Sequence, residues 1–346
     1  MAFLGRFIPK STVIEETTSI NSRNVDILDK REENQVNDNI NDLNNNNVSN
    51  SKVTREITTY GLIFGSKANL LCNFGDLPSW YQDNRDILRG YRKPTSSYIE
   101  CIYSLFYIHN EFINIWSHFL GAIIFAFLSF VTYFFVLDQP TVVWQDFVVV
   151  YTFLSGAVIC LGFSSTFHTL CCHSEKVSAD WNRCDYVGIV TLIVGSFYPT
   201  IYYGFYCDYN WMIFYLSLIT ILGVVTICVA VLPRFRSPHY RWFRTSLFLA
   251  MGLSAIVPLA HGITLYGIDA CFKSNSLNYV CCMGLLYVIG ALFYGARIPE
   301  RWYPGTFDIF GSSHQIFHLF VVAAALVHYF GVTQAMLYWH KTHARC

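Results

Sequence analysis

The chain has 346 residues, of which 53% are hydrophobic and 17% aromatic, and only 13% are charged, against about 25% in an ordinary soluble domain. Lys+Arg and Asp+Glu balance at 23 each, which excludes a polyanion-binding protein and leaves no nucleic-acid signature. The composition is that of an integral membrane protein. The twelve cysteines do not read as a disulfide framework, because many, such as Cys160, Cys281 and Cys282, lie in apolar runs where a thiol acts as a small hydrophobe.

Residues 1–70 are polar, with eleven Asn between Asn21 and Asn50. Such a segment cannot bury a core and reads as a disordered tail. Its start, Met1-Ala2-Phe3-Leu4-Gly5-Arg6, lacks the apolar stretch and cleavage site of a signal peptide, so the N-terminus is expected to stay in the cytoplasm. Residues 71–112 form a juxtamembrane segment. Within it, Tyr98, Ile102, Leu105 and Phe106 suit a short amphipathic helix lying along the membrane surface.

Seven apolar stretches follow, at 113–136, 146–169, 186–203, 211–231, 242–263, 278–295 and 313–337, each long enough to span a bilayer at 1.5 Å rise per residue. The expectation is an all-α, seven-transmembrane helix bundle over residues 113–340. Short connections, such as Cys171 to Cys184, make neighbouring helices antiparallel. Pro199 and Pro258 should bend the third and fifth helices.

Orientation follows from the loop charges. Lys176, Arg183, Arg234, Arg236, Arg241, Arg297 and Arg301 fall on one side, together with Arg85, Arg89, Arg92 and Lys93, whereas the opposite loops hold only Lys273. The N-terminus is therefore expected inside and the C-terminus outside. The sequon Asn47-Val48-Ser49 then escapes glycosylation. Cys207, Cys271 and Cys346 fall in or after outer connections, with room for a single bridge among them.

His314 and His318 are four residues apart at the start of the seventh helix, so their imidazoles share one face and can chelate one ion of the Zn(II) type. Helix parity brings other polar groups to the same depth. The second helix ends with Ser164-Ser165-Thr166-Phe167-His168, and Asp185 begins the third. His168, His314 and His318 make a three-imidazole set with an open position, the pattern of a catalytic zinc, whereas structural sites are normally closed by four protein ligands. Asp185 is placed to orient a water or accept its proton, and Ser164 shares the His168 face. Cys171 and Cys172 offer thiols that three imidazoles make unnecessary. His118 reads as an interface anchor and His173 as a loop residue; His261 and His328 read as core or pore-lining groups.

Several blocks occur in order: Asn110-Glu111, Asn114-Ile115-Trp116-Ser117-His118, Phe167-His168-Thr169, His173-Ser174-Glu175-Lys176-Val177-Ser178, Asp185-Tyr186, Ala296-Arg297-Ile298-Pro299-Glu300-Arg301 and Ser313-His314-Gln315-Ile316-Phe317-His318. From about residue 76 to 335 they resemble the adiponectin receptors of the progestin and adipoQ receptor family, which includes haemolysin III-like proteins. The resemblance implies seven helices with a cytoplasmic N-terminus. It also implies zinc on His168, His314 and His318, with Asp185 at the zinc-bound water and Ser164 matching the serine of a wider hydrolase pattern that includes alkaline ceramidases. The implied activity is ceramidase-like, releasing a fatty acid and a sphingoid base in lipid-metabolism signalling. The implied partners are a membrane lipid (ceramide or free fatty acid) and an extracellular protein ligand, with the plasma membrane favoured over internal membranes. The Asn-rich tail departs from the animal receptors. A competing expectation is a non-catalytic receptor or regulator of zinc or sterol homeostasis whose zinc is structural. A zinc transporter fits poorly, since no file of acidic or His residues crosses the bundle.

Overall fold

A computed structural model of the chain describes residues 70–138 and 140–342. The Asn-rich tail and Cys346 lie outside them. Ten helices carry most of these residues: α1 (Tyr98–Tyr103), α2 (Phe112–Val131), α3 (Trp144–Leu170), α4 (Glu175–Gly204), α5 (Tyr209–Ala230), α6 (Arg241–Leu253), α7 (Ile256–Tyr266), α8 (Ile268–Ser274), α9 (Leu277–Ala296) and α10 (Ser313–Thr342). Two short strands, β1 (Leu71–Cys72) and β2 (Tyr91–Arg92), pair antiparallel ahead of them.

Among the described residues, seven helical segments are long and apolar enough to cross a membrane. These are α2 with the π-helical turn that prolongs it to Val136, then α3, α4, α5, α6 with α7, α9 and α10. Each agrees with a stretch read from hydropathy, and the physical reason is common to all: in hydrocarbon every backbone N–H and C=O must be satisfied within its own segment, which a helix does. Large apolar side chains such as Phe127, Phe130, Phe135, Ile221 and Leu285 stand exposed around the bundle, as expected of a surface solvated by lipid tails.

The fifth span breaks between α6 and α7, at Ser254–Ala255. The break falls one turn before Pro258, which has no N–H to return to the Ser254 carbonyl. Pro199 leaves α4 unbroken. One boundary differs from expectation. The connection between the second and third spans is only Cys171–Ser174, and α4 starts at Glu175, so Lys176 and Arg183 are helical and Asp185 lies ten residues inside its helix rather than at its start. Hydropathy registers only the apolar part of a helix, and here the first turns carry Glu175, Lys176, Asp180 and Arg183.

Two glycines set how closely α3 and α4 approach. A Cβ on Gly188 would lie 2.9 Å from the Cys160 Cα, and one on Gly195 would lie 2.7 Å from the Thr152 carbonyl oxygen. Small residues at a helix interface let backbones touch where no hydrophobic effect operates between helices. This contact fixes the depth of Ser164 and His168 on α3 relative to Asp185 on α4.

α1 covers Tyr98 and Ile102 of the expected amphipathic stretch, and a 3-10 turn, Ser104–Phe106, carries the rest. Cys101 on its inner face is fully buried, whereas Tyr98, Ile99, Ile102 and Phe106 face outward, an apolar stripe suited to the membrane surface. Cys207 is disulfide-bonded, while Cys271 is a free thiol.

Candidate metal centre

His168 stands in the last turn of α3 and His314 and His318 in the first two turns of α10. Their ring centroids form a nearly equilateral triangle: His168–His314 4.9 Å, His168–His318 4.8 Å and His314–His318 4.8 Å. The interplanar angles of 79°, 71° and 78° make a three-bladed arrangement of imidazoles. One ligand nitrogen from each lies within 4.8 Å of the other two, and His168 and His318 are buried.

The environment fixes which nitrogen faces the centre. His168 Nδ1 is 2.8 Å from Glu111 Oε2, and His318 Nδ1 is 3.1 Å from the Asn114 carbonyl oxygen. Each ring is thereby oriented as a metal-bound imidazole is, with Nδ1–H donated outward and Nε2 left as a lone pair. His168 Nε2 is buried without a hydrogen-bond partner. A neutral imidazole nitrogen buried this way costs about 1–3 kcal/mol unless something binds it. The residues therefore fit a metal, and a set of three imidazoles suits ions of the zinc class.

Glu111 is held by a second bond, from Asn114 Nδ2 at 2.6 Å. Burial alone would raise its carboxyl pKa, but the neighbouring His168 and His314 imidazoles and the hydrogen bonds from His168 and Asn114 outweigh that and hold it below the usual carboxylate range. The group that orients His168 is thus an anion.

Three anchors hold the ends of the ligand helices. Arg92 is buried, and its guanidinium donates to the His168 carbonyl at 2.5 Å, the Thr169 carbonyl at 2.9 Å and Ser104 Oγ at 2.7 Å. It caps the C-terminus of α3, where a cation also meets the negative end of the helix dipole. Glu300 is buried too. It accepts from the Ser313 backbone N–H at 2.8 Å and from Ser313 Oγ, so an anion caps the N-terminus of α10 one residue before His314. Gln315 Nε2 donates to the Asn110 carbonyl at 3.1 Å, tying α10 to the segment that carries Glu111.

Ser164 and Asp185 are buried and line the same cavity as the three histidines, with the serine hydroxyl beside the Asp185 carboxyl. All five residues singled out from sequence therefore meet at one place. His118 lies closer than expected, its ring stacked on His318 at 3.7 Å with both nitrogens unpartnered. His173 packs on Tyr98 at 4.2 Å, and Cys171 and Cys172 turn away toward Arg92 and Cys101. Sequence reasoning missed Glu111, Asn114, Arg92 and Glu300 as supports. The one available signal was Glu111, an acid placed directly before a membrane-spanning helix.

The cavity has a volume of about 630 Å³. Its wall follows α4 from Asp185 to Phe205, twenty positions or roughly 30 Å of helix rise. Ile189, Ile193, Phe197, Val280 and Met283 make it largely apolar along that length. It is a long apolar slot that leads, past the imidazoles and Asp185, into a polar mouth lined by Asp83, Glu175, Arg236 and Arg241.

Residues 106–329 match the haemolysin-III-related family. The chain is 44% identical over 268 residues to an adiponectin receptor protein of Drosophila melanogaster, covering 78% of this chain and 60% of the relative. It is 42% identical to a progestin and adipoQ receptor-like protein of Caenorhabditis elegans, over 75% of this chain and 59% of the relative. To an ADIPOR-like receptor of Saccharomyces cerevisiae it is 40% identical, over 76% of this chain and 83% of the relative. The chain thus spans about 60% of the two animal relatives. With seven apolar spans, a buried histidine triad able to hold a metal ion and these likenesses, the chain belongs to the haemolysin-III-related family of adiponectin receptor-like multi-pass membrane proteins.

Proposed function

We propose that the protein is a receptor-like zinc amidohydrolase acting on an N-acyl lipid of the ceramide class. The observation that carries this reading is the histidine triad opening onto a long apolar slot. An acyl chain fits the slot, and its carbonyl then stands at the imidazole end.

His168, His314 and His318 would hold a zinc ion, which when bound would supply Lewis acidity at the amide carbonyl. Asp185 accepts a proton at its carboxylate from the attacking water and returns it to the leaving amine nitrogen as the carbon–nitrogen bond breaks. Ser164 holds the Asp185 carboxyl in place. The apolar wall excludes bulk water, so hydrolysis stays at the imidazole end. The products are a fatty acid and a sphingoid base.

Loop charge supports an inward-facing site. Arg234, Arg236, Arg241, Arg297 and Arg301 all fall at the imidazole end, the excess expected of cytoplasmic loops. In this reading the C-terminus is outside, the plasma membrane is the host, and an extracellular protein ligand acts on the far face.

Purified protein in lipid discs with a defined ceramide tests the activity. The wild type should release fatty acid, and Asp185→Ala should abolish release while retaining zinc. A wild type that retains zinc and releases no more fatty acid than Asp185→Ala would exclude the enzyme and leave a metal that ties α3 to α10.

A further inference from the structure

Beside the metal centre, outside the membrane spans, a second cluster has no part in the reading above. Cys101 on α1 and Cys172 in the turn after α3 are both fully buried free thiols, and their sulfurs lie 3.5 Å apart. They are 71 residues apart in sequence. Two backbone bonds hold the strands that bear them together: Thr95 N–H donates to the Cys172 carbonyl at 3.1 Å and Ser96 N–H to the His173 carbonyl at 2.9 Å. Thr95 Oγ1 adds a contact to Cys101 Sγ at 3.7 Å. The pair is enclosed with the buried Arg92 guanidinium, which reaches the neighbouring Cys171 Sγ at 3.2 Å.

We propose that Cys101 and Cys172 are a peroxide-sensitive dithiol that closes to a disulfide, strapping α1 to the turn that follows the His168-bearing end of α3. Sulfurs at van der Waals contact need only a closing motion of about 1.5 Å to reach bonding distance near 2.05 Å. Of the two, Cys172 is the attacking sulfur. The hydrogen bond from Cys101 holds its thiol below the ordinary cysteine range, against the opposing effect of burial, and Arg92 adds to the lowering. Cys101 is pushed the other way and keeps its proton. A thiolate beside a cation is the reactive form of cysteine.

The chemistry balances with hydrogen peroxide as oxidant. Cys172 sulfur attacks one peroxide oxygen, the oxygen–oxygen bond breaks, and the departing hydroxide takes a proton to leave as water. Cys101 sulfur then attacks Cys172 sulfur; the sulfur–sulfur bond forms, the sulfur–oxygen bond breaks, and the second water leaves with the Cys101 proton. Two thiols are oxidised by two electrons and one peroxide is reduced to two waters. Cys171 lines the large cavity, so a water-sized oxidant inside the slot comes within one residue of the pair.

The strap acts where α3 is already capped by Arg92. In the reduced protein the segment leading into α1 is tied to the turn after α3 by hydrogen bonds alone; in the oxidised protein a covalent link joins α1 to that turn.

The test uses the full chain, purified under reductant and then exposed to hydrogen peroxide sufficient to oxidise added glutathione completely. Alkylation, digestion and mass spectrometry should find a cross-linked peptide pair joining Cys101 to Cys172. The pair should vanish on treatment with dithiothreitol and persist in Cys171→Ala. In Cys101→Ser, whose hydroxyl can still donate to Cys172, a dimedone adduct should appear on Cys172 instead. Wild-type protein in which both thiols remain fully alkylatable after that exposure overturns the proposal, as does a bridge between Cys171 and Cys172. The wild-type measurement decides the matter even if a variant fails to fold.

Discussion

The same two helices carry an imidazole facing a carboxylate at both ends of the bundle, and the two ends differ. At one, His168 on α3 meets Glu111, with His318 of α10 beside it. At the other, Asp146 on α3 lies 3.1 Å from His340 Nε2 on α10. The spacing is equal, Asp146 to His168 and His318 to His340 each being twenty-two positions, or roughly 33 Å, about the thickness of a bilayer core. At the far end Thr141 Oγ1 is 2.9 Å from His340 Nδ1, Tyr203 OH donates to Asp146 Oδ1 at 2.9 Å and the Val143 N–H donates to Oδ2 at 3.0 Å, while His340 Nε2 faces the Asp146 carboxylate without forming a hydrogen bond. At the near end one nitrogen of His168 is left over, aimed at two more imidazoles and a cavity. An imidazole–carboxylate pair in a membrane helix is therefore not a site by itself. It becomes one when nitrogens converge with nothing of the protein's own to bind.

The sharpest test of that contrast removes an imidazole from each end. His168→Ala should bring zinc content per purified chain close to zero, because two remaining imidazoles are short of the three protein ligands that even an open zinc site keeps. His340→Ala should leave zinc content at the wild-type level. Equal loss in both variants, read by metal analysis of the purified proteins, would mean that the far end controls metal through folding and the contrast is wrong.

A stability measurement inverts the comparison. Asp146→Ala leaves Tyr203 and the Val143 N–H without their acceptor, and His340 without the carboxylate it faces, in a fully buried setting. Breaking a buried pair by removing one partner costs about 3–5 kcal/mol. A fall in thermal unfolding temperature of the lipid-reconstituted protein is expected, while zinc affinity below the transition stays unchanged.

Glu111→Gln acts at the near end without touching a ligand nitrogen. The amide keeps the shape but gives His168 Nδ1 a weaker acceptor in place of an anion, so the ring is less firmly oriented and less basic. Loss of such an orienting carboxylate weakens zinc by about 10–100-fold, measurable by competition with a chelator of known affinity. An unchanged affinity would show that the α3 backbone alone sets the ring.

These residues also mark how far the sequence could be read. The seven spans were legible because hydrocarbon demands long apolar helices, and the five cavity residues because antiparallel packing makes depth a matter of counting. Glu111, Arg92 and Glu300 were not. Each reaches a ligand-bearing helix across 13 to 77 residues, and such contacts leave no periodic trace. The polar start of α4 was missed for a related reason, since its charged turns lie outside the apolar run that hydropathy detects. What can be read is what the bilayer imposes; what cannot is how the juxtamembrane segments fold back on it.

The smallest expected effect probes one of those segments. Ser313 gives Glu300 both its backbone N–H and its hydroxyl, and His314 follows directly. Ser313→Ala keeps the backbone bond and deletes the other, leaving Glu300 Oε1 with Asn84 Nδ2 at 3.0 Å. One hydrogen bond to a charged group contributes about 1.5–3 kcal/mol, and the surviving partners offset part of that, so stability should fall by about 1 kcal/mol, in the range of a lost helix cap. Because the cap sits at the start of α10, the His314 backbone loosens before that of His318. Zinc affinity should therefore drop by less than it does in Glu111→Gln. A larger loss of zinc than in that variant would move the main support of the triad from the α3 side to the start of α10.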